Sequence, residues 1–210
     1  MKKYRYYIPI VVLFVVLCLF IYVQKVKYER NIRSLNDVST KLVNMSNFND
    51  SLQMNLSKRS NIRAIELANQ GKEINTNIPL QSDGTHALVL GEIIKKNDLV
   101  FVFSKNNYCK TCIDLQLELI SEVFKEDAEN KIKIFANNYT KDDLKVLKDT
   151  LNLNFEIYGI LNDDLVLLGN SQSFPFYFRV DEGFKMKDIF IPAGDMKELS
   201  RNYLRNQIRG

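Results

Sequence analysis

Residues Leu99 to Phe103 form the run Leu-Val-Phe-Val-Phe, in which every side chain is apolar. Successive side chains of a β-strand point to opposite faces of the sheet, so a strand that is apolar at every position must be covered on both faces. Its β-branched and aromatic residues also favour a strand over a helix. The run therefore predicts the central strand of a sheet that other layers of structure cover on both sides.

Shorter strand and helix signals alternate along the rest of the C-terminal part of the chain. Apolar residues at helical spacing follow Cys109, and Thr140 is a typical helix N-cap with acidic residues in the next turn. Further strands are predicted at residues 78–80, 87–90, 131–135, 154–158, 174–180 and 185–191, and a last helix at 195–207. Alternating units of this kind build a mixed central sheet with flanking helices. We therefore predict an α/β domain over residues 72–210.

The N-terminal segment from Tyr6 to Val23 contains no charged residue. In a helix of about 1.5 Å per residue, such a segment nearly matches a hydrocarbon core about 30 Å thick. A cleaved signal peptide would need small residues after the apolar core, and a lipoprotein would need one before Cys18, where Leu17 stands. We therefore predict that residues 1–24 are a retained transmembrane signal anchor, with residues 6–23 in contact with the lipid bilayer.

Positive charge flanks this segment on both sides. Residues 1–33 hold seven basic residues and one acid, which leaves 22 basic and 24 acidic residues in the rest of the chain. A basic head before a first apolar segment is the usual signal-anchor arrangement, so we expect a single-pass protein of the inner (cytoplasmic) membrane. Its N-terminus would be cytoplasmic and its C-terminal domain periplasmic or extracytoplasmic. Because the rest of the chain has no basic excess, nucleic acid is excluded as a partner.

Residues 25–71 are predicted to form a helical stalk. No Pro or Gly interrupts this segment before Gly71. Its apolar residues recur in steps of three and four, at Ile32, Leu35, Val38, Leu42, Met45, Phe48 and Leu52. One interpretation is a stalk that dimerises as a parallel coiled coil and holds the domain off the membrane. The other is an amphipathic helix that packs on its own domain or on the bilayer surface.

The candidate catalytic residues are Cys109 and Cys112, a C-x-x-C pair between the central strand and a helix start. Unpaired N–H groups and the positive end of the helix dipole stabilise a thiolate there, and Lys110 adds positive charge. An outer Cys109 can attack a substrate disulfide, and Cys112 can then resolve the mixed disulfide. The alternative is that both cysteines are packed as small apolar residues.

A zinc site is the main chemical rival of a redox pair. Zinc needs about four ligands, and the only other Cys or His residues are Cys18, in the apolar segment, and His86, beside a predicted turn. A single His in such a place is more typical of a surface or capping residue. We therefore predict neither a metal nor a cofactor.

The strand, the sequence Tyr108-Cys109-Lys110-Thr111-Cys112, the following helix and a late Phe174-Pro175 before a strand resemble the thioredoxin superfamily. The separation of 66 residues between Cys109 and Pro175 leaves room for an extra strand–helix unit, which resembles the membrane-anchored TlpA-like thiol–disulfide oxidoreductases. The resemblance implies that the Phe174–Pro175 bond is cis, that Pro175 faces the dithiol, and that Phe174 flanks the disulfide, so Phe174, Pro175 and Tyr108 are the candidate substrate-binding residues. The alternative for Phe174 is a plain core aromatic. Two features depart from the family: Tyr108 stands where Trp is common, and no buried acid is evident near the dithiol.

We accordingly expect a membrane-tethered thiol–disulfide oxidoreductase, with Cys109 as the attacking thiolate and Cys112 as the resolving cysteine. Its partners would be envelope proteins that carry disulfides or thiols, and an upstream electron donor or acceptor in the membrane or envelope. The alternative is a redox-inactive thioredoxin-like module that binds or senses a partner through the groove beside Pro175.

Overall fold

The computed structural model describes residues 7–81, 88–106, 110–124, 131–162, 164–169, 174–192 and 197–209. The helices are α1 (Tyr7–Asn69), α2 (Leu90–Ile93), α3 (Lys110–Phe124), α4 (Lys141–Leu151) and α5 (Lys197–Arg209). The strands are β1 (Pro79–Leu80), β2 (Leu88–Val89), β3 (Leu99–Ser104), β4 (Ile132–Asn137), β5 (Tyr158–Ile160), β6 (Phe176–Val180) and β7 (Met186–Phe190). The chain divides into two compact units, Met1–Lys58 and Arg59–Gly210.

In the first unit, α1 runs without interruption from Tyr7 to Lys58. Its apolar side chains are exposed, both from Leu13 to Val23 and along the stripe from Ile32 to Leu52. The transmembrane span predicted over residues 6–23 gains no support: residue 6 lies outside the described residues, and within the described ranges no helix is long and apolar enough to cross a membrane. The predicted stalk is helical as far as Asn69, and the domain limits at residues 24 and 71 stay predictions.

The second unit is built on a five-stranded sheet in the order β5-β4-β3-β6-β7. Strand β3 is parallel to β4, and β4 is parallel to β5. On the other side β6 is antiparallel to β3, and β7 is antiparallel to β6. All six residues of β3 are buried, which confirms the central strand predicted from Leu99–Phe103. The mixed central sheet of an α/β domain is confirmed as well.

Alternate side chains of β3 lie in two separate cores. Phe101 packs in one core with Leu117 of α3, and α4 and α5 add Leu144 and Leu204 to the same core. Val102 lies in the opposite core, to which the end of α1 contributes Ile62. Helices therefore cover both faces of the sheet, as the wholly apolar strand required.

Buried polar side chains fix the last turns of α1 within the second unit. Glu66 Oε1 accepts the backbone N–H of Ile191 at 2.9 Å. Asn69 donates from Nδ2 to the carbonyl of Leu168 at 3.0 Å, and its Oδ1 accepts the N–H of the same residue at 2.7 Å. Since both side chains are buried, these bonds satisfy groups that would otherwise cost free energy on folding.

Candidate active site

The junction between β3 and α3 carries the predicted site. The backbone N–H of Lys105 donates to the carbonyl of Asn137 at 3.0 Å, so pairing with β4 continues to the end of β3. Helix α3 then begins at Lys110. Cys112 lies in its first turn, is half-buried and is disulfide-bonded, whereas Cys18 is free. Tyr108 and Cys109 lie outside the described residues.

The position of Cys112 suits a sulfur that becomes a thiolate when its disulfide is reduced. The first turn of an α-helix has backbone N–H groups without intrahelical partners, and the helix dipole places partial positive charge there. Lys110 and Thr111, which precede Cys112 in the same turn, are exposed. Cys112 is thus half-buried at a helix start whose preceding residues are exposed, a position in which cysteines are often reactive.

Pro175 lies at the same end of the sheet as this junction. Val102 of β3 is in register with Phe176, the first residue of the antiparallel β6. The start of β6 therefore lies beside the second half of β3, where the chain leaves the sheet towards Cys112. Pro175 is buried, and Phe174 is half-buried against the core that contains Val102.

The peptide bond between Phe174 and Pro175 is trans, since no cis bond occurs among the described residues. The cis bond that the thioredoxin resemblance implies is therefore wrong for this structure. The trans form is the lower-energy state of an X–Pro bond by about 0.5–1 kcal/mol. Here the bond leads directly into the extended backbone of β6.

A buried polar pair lies behind Cys112, and the sequence analysis missed it. Gln116 follows Cys112 by four residues, so the two side chains lie on the same face of α3. The hydroxyl of Tyr177 donates to Gln116 Oε1 at 3.0 Å, and both residues are buried. Burial raises the pKa of the Tyr177 hydroxyl well above its usual value, so the pair is neutral. The available signal was a polar residue between Ile113 and Leu117 on the apolar face of α3.

The acids near the site are not buried. Asp114 is half-buried and Glu118 is exposed on α3. Glu66 is a buried acid, but it lies on α1 and is bound to Arg63 at 3.0 Å and to the backbone of Ile191. The buried polar group on the Cys112 face of α3 is thus an amide rather than a carboxylate.

Metal ligands do not cluster in the part of the chain that the structure describes. Among those residues, no group of three or more His, Cys, Asp or Glu side chains is placed to hold a metal ion. His86 and Cys109, two of the few residues that sequence offered as zinc ligands, lie outside it.

The sequence matches no protein family profile, and no curated protein matches it. Solved structures are similar to it at low identity. An uncharacterized thioredoxin-like protein from Porphyromonas gingivalis is 17% identical, with a TM-score of 0.47 over 67% of this chain and 95% of that one. Peroxidoxin BcpB from Mycobacterium tuberculosis is 14% identical, with a TM-score of 0.45 over 66% and 97%.

A secreted disulfide oxidoreductase from Mycobacterium tuberculosis, homologous to E. coli DsbE, is 10% identical, with a TM-score of 0.43 over 62% of this chain and 96% of that one. At these identities the similarities assign no role to any residue of the chain.

Proposed function

We propose that this protein is a thioredoxin-like thiol–disulfide oxidoreductase in which Cys109 attacks and Cys112 resolves. The observation that carries the proposal is a disulfide-bonded Cys112 in the first turn of a helix that follows the central strand. The mixed sheet, with β6 antiparallel beside β3, supports the thioredoxin-like assignment. Membership of the TlpA-like branch is part of the same proposal and rests on the residues 108–112 and 174–175.

The reaction exchanges one disulfide for another. The Cys109 thiolate attacks one sulfur of the substrate disulfide, which forms a mixed disulfide and releases the other substrate sulfur as a thiolate. Cys112, as a thiolate, then attacks the Cys109 sulfur, which forms the Cys109–Cys112 disulfide and releases the second substrate thiol. Two electrons pass from the dithiol to the substrate, and the reverse sequence oxidises a substrate dithiol.

Trapping of the intermediate tests this proposal. In a Cys112→Ser protein the mixed disulfide on Cys109 cannot be resolved, so covalent adducts should accumulate and disappear on reduction with dithiothreitol. Non-reducing gels and intact mass give the measurement, and Cys18→Ser is the matched control, because it removes a cysteine outside the pair. If Cys112→Ser traps no more adduct than Cys109→Ser, with proteins or with a model disulfide, the exchange reaction does not occur.

A redox-inactive module that holds a partner strand is the second candidate. It is favoured by the buried amide Gln116, because no buried carboxylate on that helix face is present to move a proton to or from Cys112. A protein that fails to reduce insulin, yet binds an extended peptide equally well with its cysteines reduced or replaced by Ser, would support this candidate over the first.

The place of the protein in the cell is part of the proposal. The apolar side chains from Leu13 to Val23 are 50–73% exposed, and an exposed run of this size is typical of a surface that contacts lipid or another protein. We propose attachment to the inner membrane through residues 6–23, with the redox domain outside the cytoplasm. Resistance to carbonate extraction tests the attachment. Labelling of the reduced dithiol by an impermeant maleimide in intact cells tests the side, and labelling only after lysis would place the domain inside.

Dimerisation through α1 completes the proposal. The stripe from Ile32 to Leu52 is 40–69% exposed, and a helix with so much uncovered apolar surface gains stability from a second copy. Sedimentation of the full chain in detergent should show a dimer that Leu42→Glu weakens and that Asn47→Glu, off the stripe, leaves intact. A monomeric wild-type protein would contradict the dimer without bearing on the redox reaction.

A further inference from the structure

A cavity of about 310 Å³ opens between the start of α3 and the length of α4. Lys110 and Asp114 of α3 line one side, and α4 lines the other. Because Lys110 and Cys112 belong to the same helical turn, the cavity lies beside the proposed redox site. It shares no residue with the predicted groove at Phe174 and Pro175.

Two residues that line the cavity, Tyr139 and Asp143, are held in place by contacts with neighbouring residues of the domain. Tyr139 packs edge-on against Phe103 of the central strand, with ring centroids 5.3 Å apart. Asp143 accepts hydrogen bonds from Lys105 at 2.8 Å and from the hydroxyl of its N-cap, Thr140, also at 2.8 Å. These hydrogen bonds, of which the one from Lys105 has the largest effect, lower the pKa of Asp143 to about 2. The carboxylate is therefore ionised, and Lys105 balances its charge.

The lining of the cavity has an apolar part and an acidic part. The apolar part, called the floor below, includes Val146 and the half-buried Leu147 of α4. The acidic part, called the rim below, includes Asp114 and Asp142, which form no salt bridge with another described residue. Lys110 is the one basic lining residue among those described, so these two carboxylates exceed the positive charge of the lining by one.

An aliphatic stem that ends in a cation complements this arrangement. Lysine and arginine side chains pack their methylene groups on apolar surface and keep the charged end at a polar rim. We propose that the cavity is a substrate subsite for the lysine or arginine side chain of a polypeptide whose cysteine reacts at the neighbouring dithiol. This inference rests on the proposed oxidoreductase function.

The test uses the full-length protein in detergent and glutathionylated peptides that differ only in having Lys, norleucine or Glu on both sides of one cysteine. Bis(2-hydroxyethyl) disulfide, which is small and uncharged, reports on the dithiol alone. We expect the Lys peptide to have a kcat/KM about two- to fivefold above that of the norleucine peptide, with Glu lowest, because a rim ion pair contributes only modestly. This order should weaken in about 0.5 M salt, since salt screens exposed charges.

Three variants distinguish the contribution of the acidic rim, that of the apolar floor, and the effect of a substitution outside the cavity. Asp142→Asn should remove the preference in kcat/KM for the Lys peptide over the norleucine peptide. Asp149→Asn, the same substitution on the same helix but outside the cavity, should change neither this preference nor the rate with the small disulfide. Val146→Ala should lower kcat/KM for Lys and norleucine alike, because both stems lose the apolar floor.

Each remaining outcome is decisive. Equal kcat/KM for the three peptides, with normal turnover of the small disulfide, overturns the subsite and leaves the oxidoreductase intact. Failure of every disulfide to react overturns the oxidoreductase instead. In that case the binding of a cysteine-free Lys peptide decides the subsite: NMR shifts at Val146 and Leu147 that Asp142→Asn abolishes support it, and the absence of such shifts overturns it.

Discussion

The first unit's part of α1 and the helix α3 carry the same kind of apolar periodicity, but only one of the two is covered. The stripe on α1 faces solvent throughout, whereas Ile113, Leu117 and Ile120 of α3 are 0–4% exposed. Spacing in steps of three and four establishes a helix with an apolar face. What covers that face depends on the rest of the fold, and within the second unit the central sheet covers α3.

The largest expected effect comes from truncating the two faces in parallel. Leu117→Ala should lower the free energy of unfolding by about 2–5 kcal/mol, because it leaves a cavity in the core beneath α3. Leu42→Ala, on the exposed stripe of the first unit, should lower the free energy of unfolding of the second unit by less than about 0.5 kcal/mol. Urea denaturation followed by tyrosine near-UV circular dichroism measures both. Equal losses of the free energy of unfolding of the second unit would contradict the comparison.

A smaller effect is expected from the polar residue on the buried face of α3. Gln116→Leu leaves the Tyr177 hydroxyl buried without its acceptor and should cost about 1–3 kcal/mol. Adding Tyr177→Phe should restore most of this loss, since both partners are then apolar. Gln53→Leu, on the exposed surface of α1, is the matched control and should be nearly neutral.

The double-mutant cycle on Gln116 and Tyr177 has a second readout. If the pair also positions Cys112, the reduction potential of the dithiol should shift in Gln116→Leu and stay shifted in the double variant. A purely structural pair would leave the potential unchanged while stability follows the order just given.

The smallest effect concerns an exposed charge on α4. Asp143 has a folded-state pKa of about 2, below the usual 3.8, chiefly because Lys105 donates a hydrogen bond to it. A lowered pKa means that the carboxylate stabilises the fold above pH 4 and that this contribution is lost as the pH falls through 2. Asp143→Asn should therefore flatten the acid limb of a plot of unfolding midpoint against pH. Asp149→Asn should leave that limb unchanged, and an equal response of both variants would contradict the assignment.

The sequence predicts the centre of this fold better than its edges. A strand that is apolar at every position must be covered on both faces, so the central position of β3 follows from Leu99–Phe103 alone. Edge strands are shorter and less constrained: a strand predicted at 154–158 is observed only at Tyr158–Ile160. Phe155 and Ile157 are nonetheless buried. The alternation of apolar and polar residues over 154–158 therefore predicted which side chains are buried, but not which residues pair with β4.

The sequence predicts the chemistry of the candidate site more directly than it predicts the residues around that site. The spacing of Cys109 and Cys112 and the helix start can be recognised from sequence because they are local. Gln116 and Tyr177 are 61 residues apart, and nothing in either neighbourhood signals that they meet. The cavity beside Lys110 is equally non-local, because α3 and α4 line it together.

The buried bonds of Glu66 and Asn69 have a practical consequence for anyone who shortens this protein. A fragment that starts at residue 72, the limit suggested by the sequence, would lack the last turns of α1 and uncover the core around Val102. It would also strip the backbone of Leu168 and Ile191 of hydrogen-bond partners. A recombinant fragment of the second unit should therefore begin at or before Arg59, because residues 59–69 supply these hydrogen bonds and part of the core.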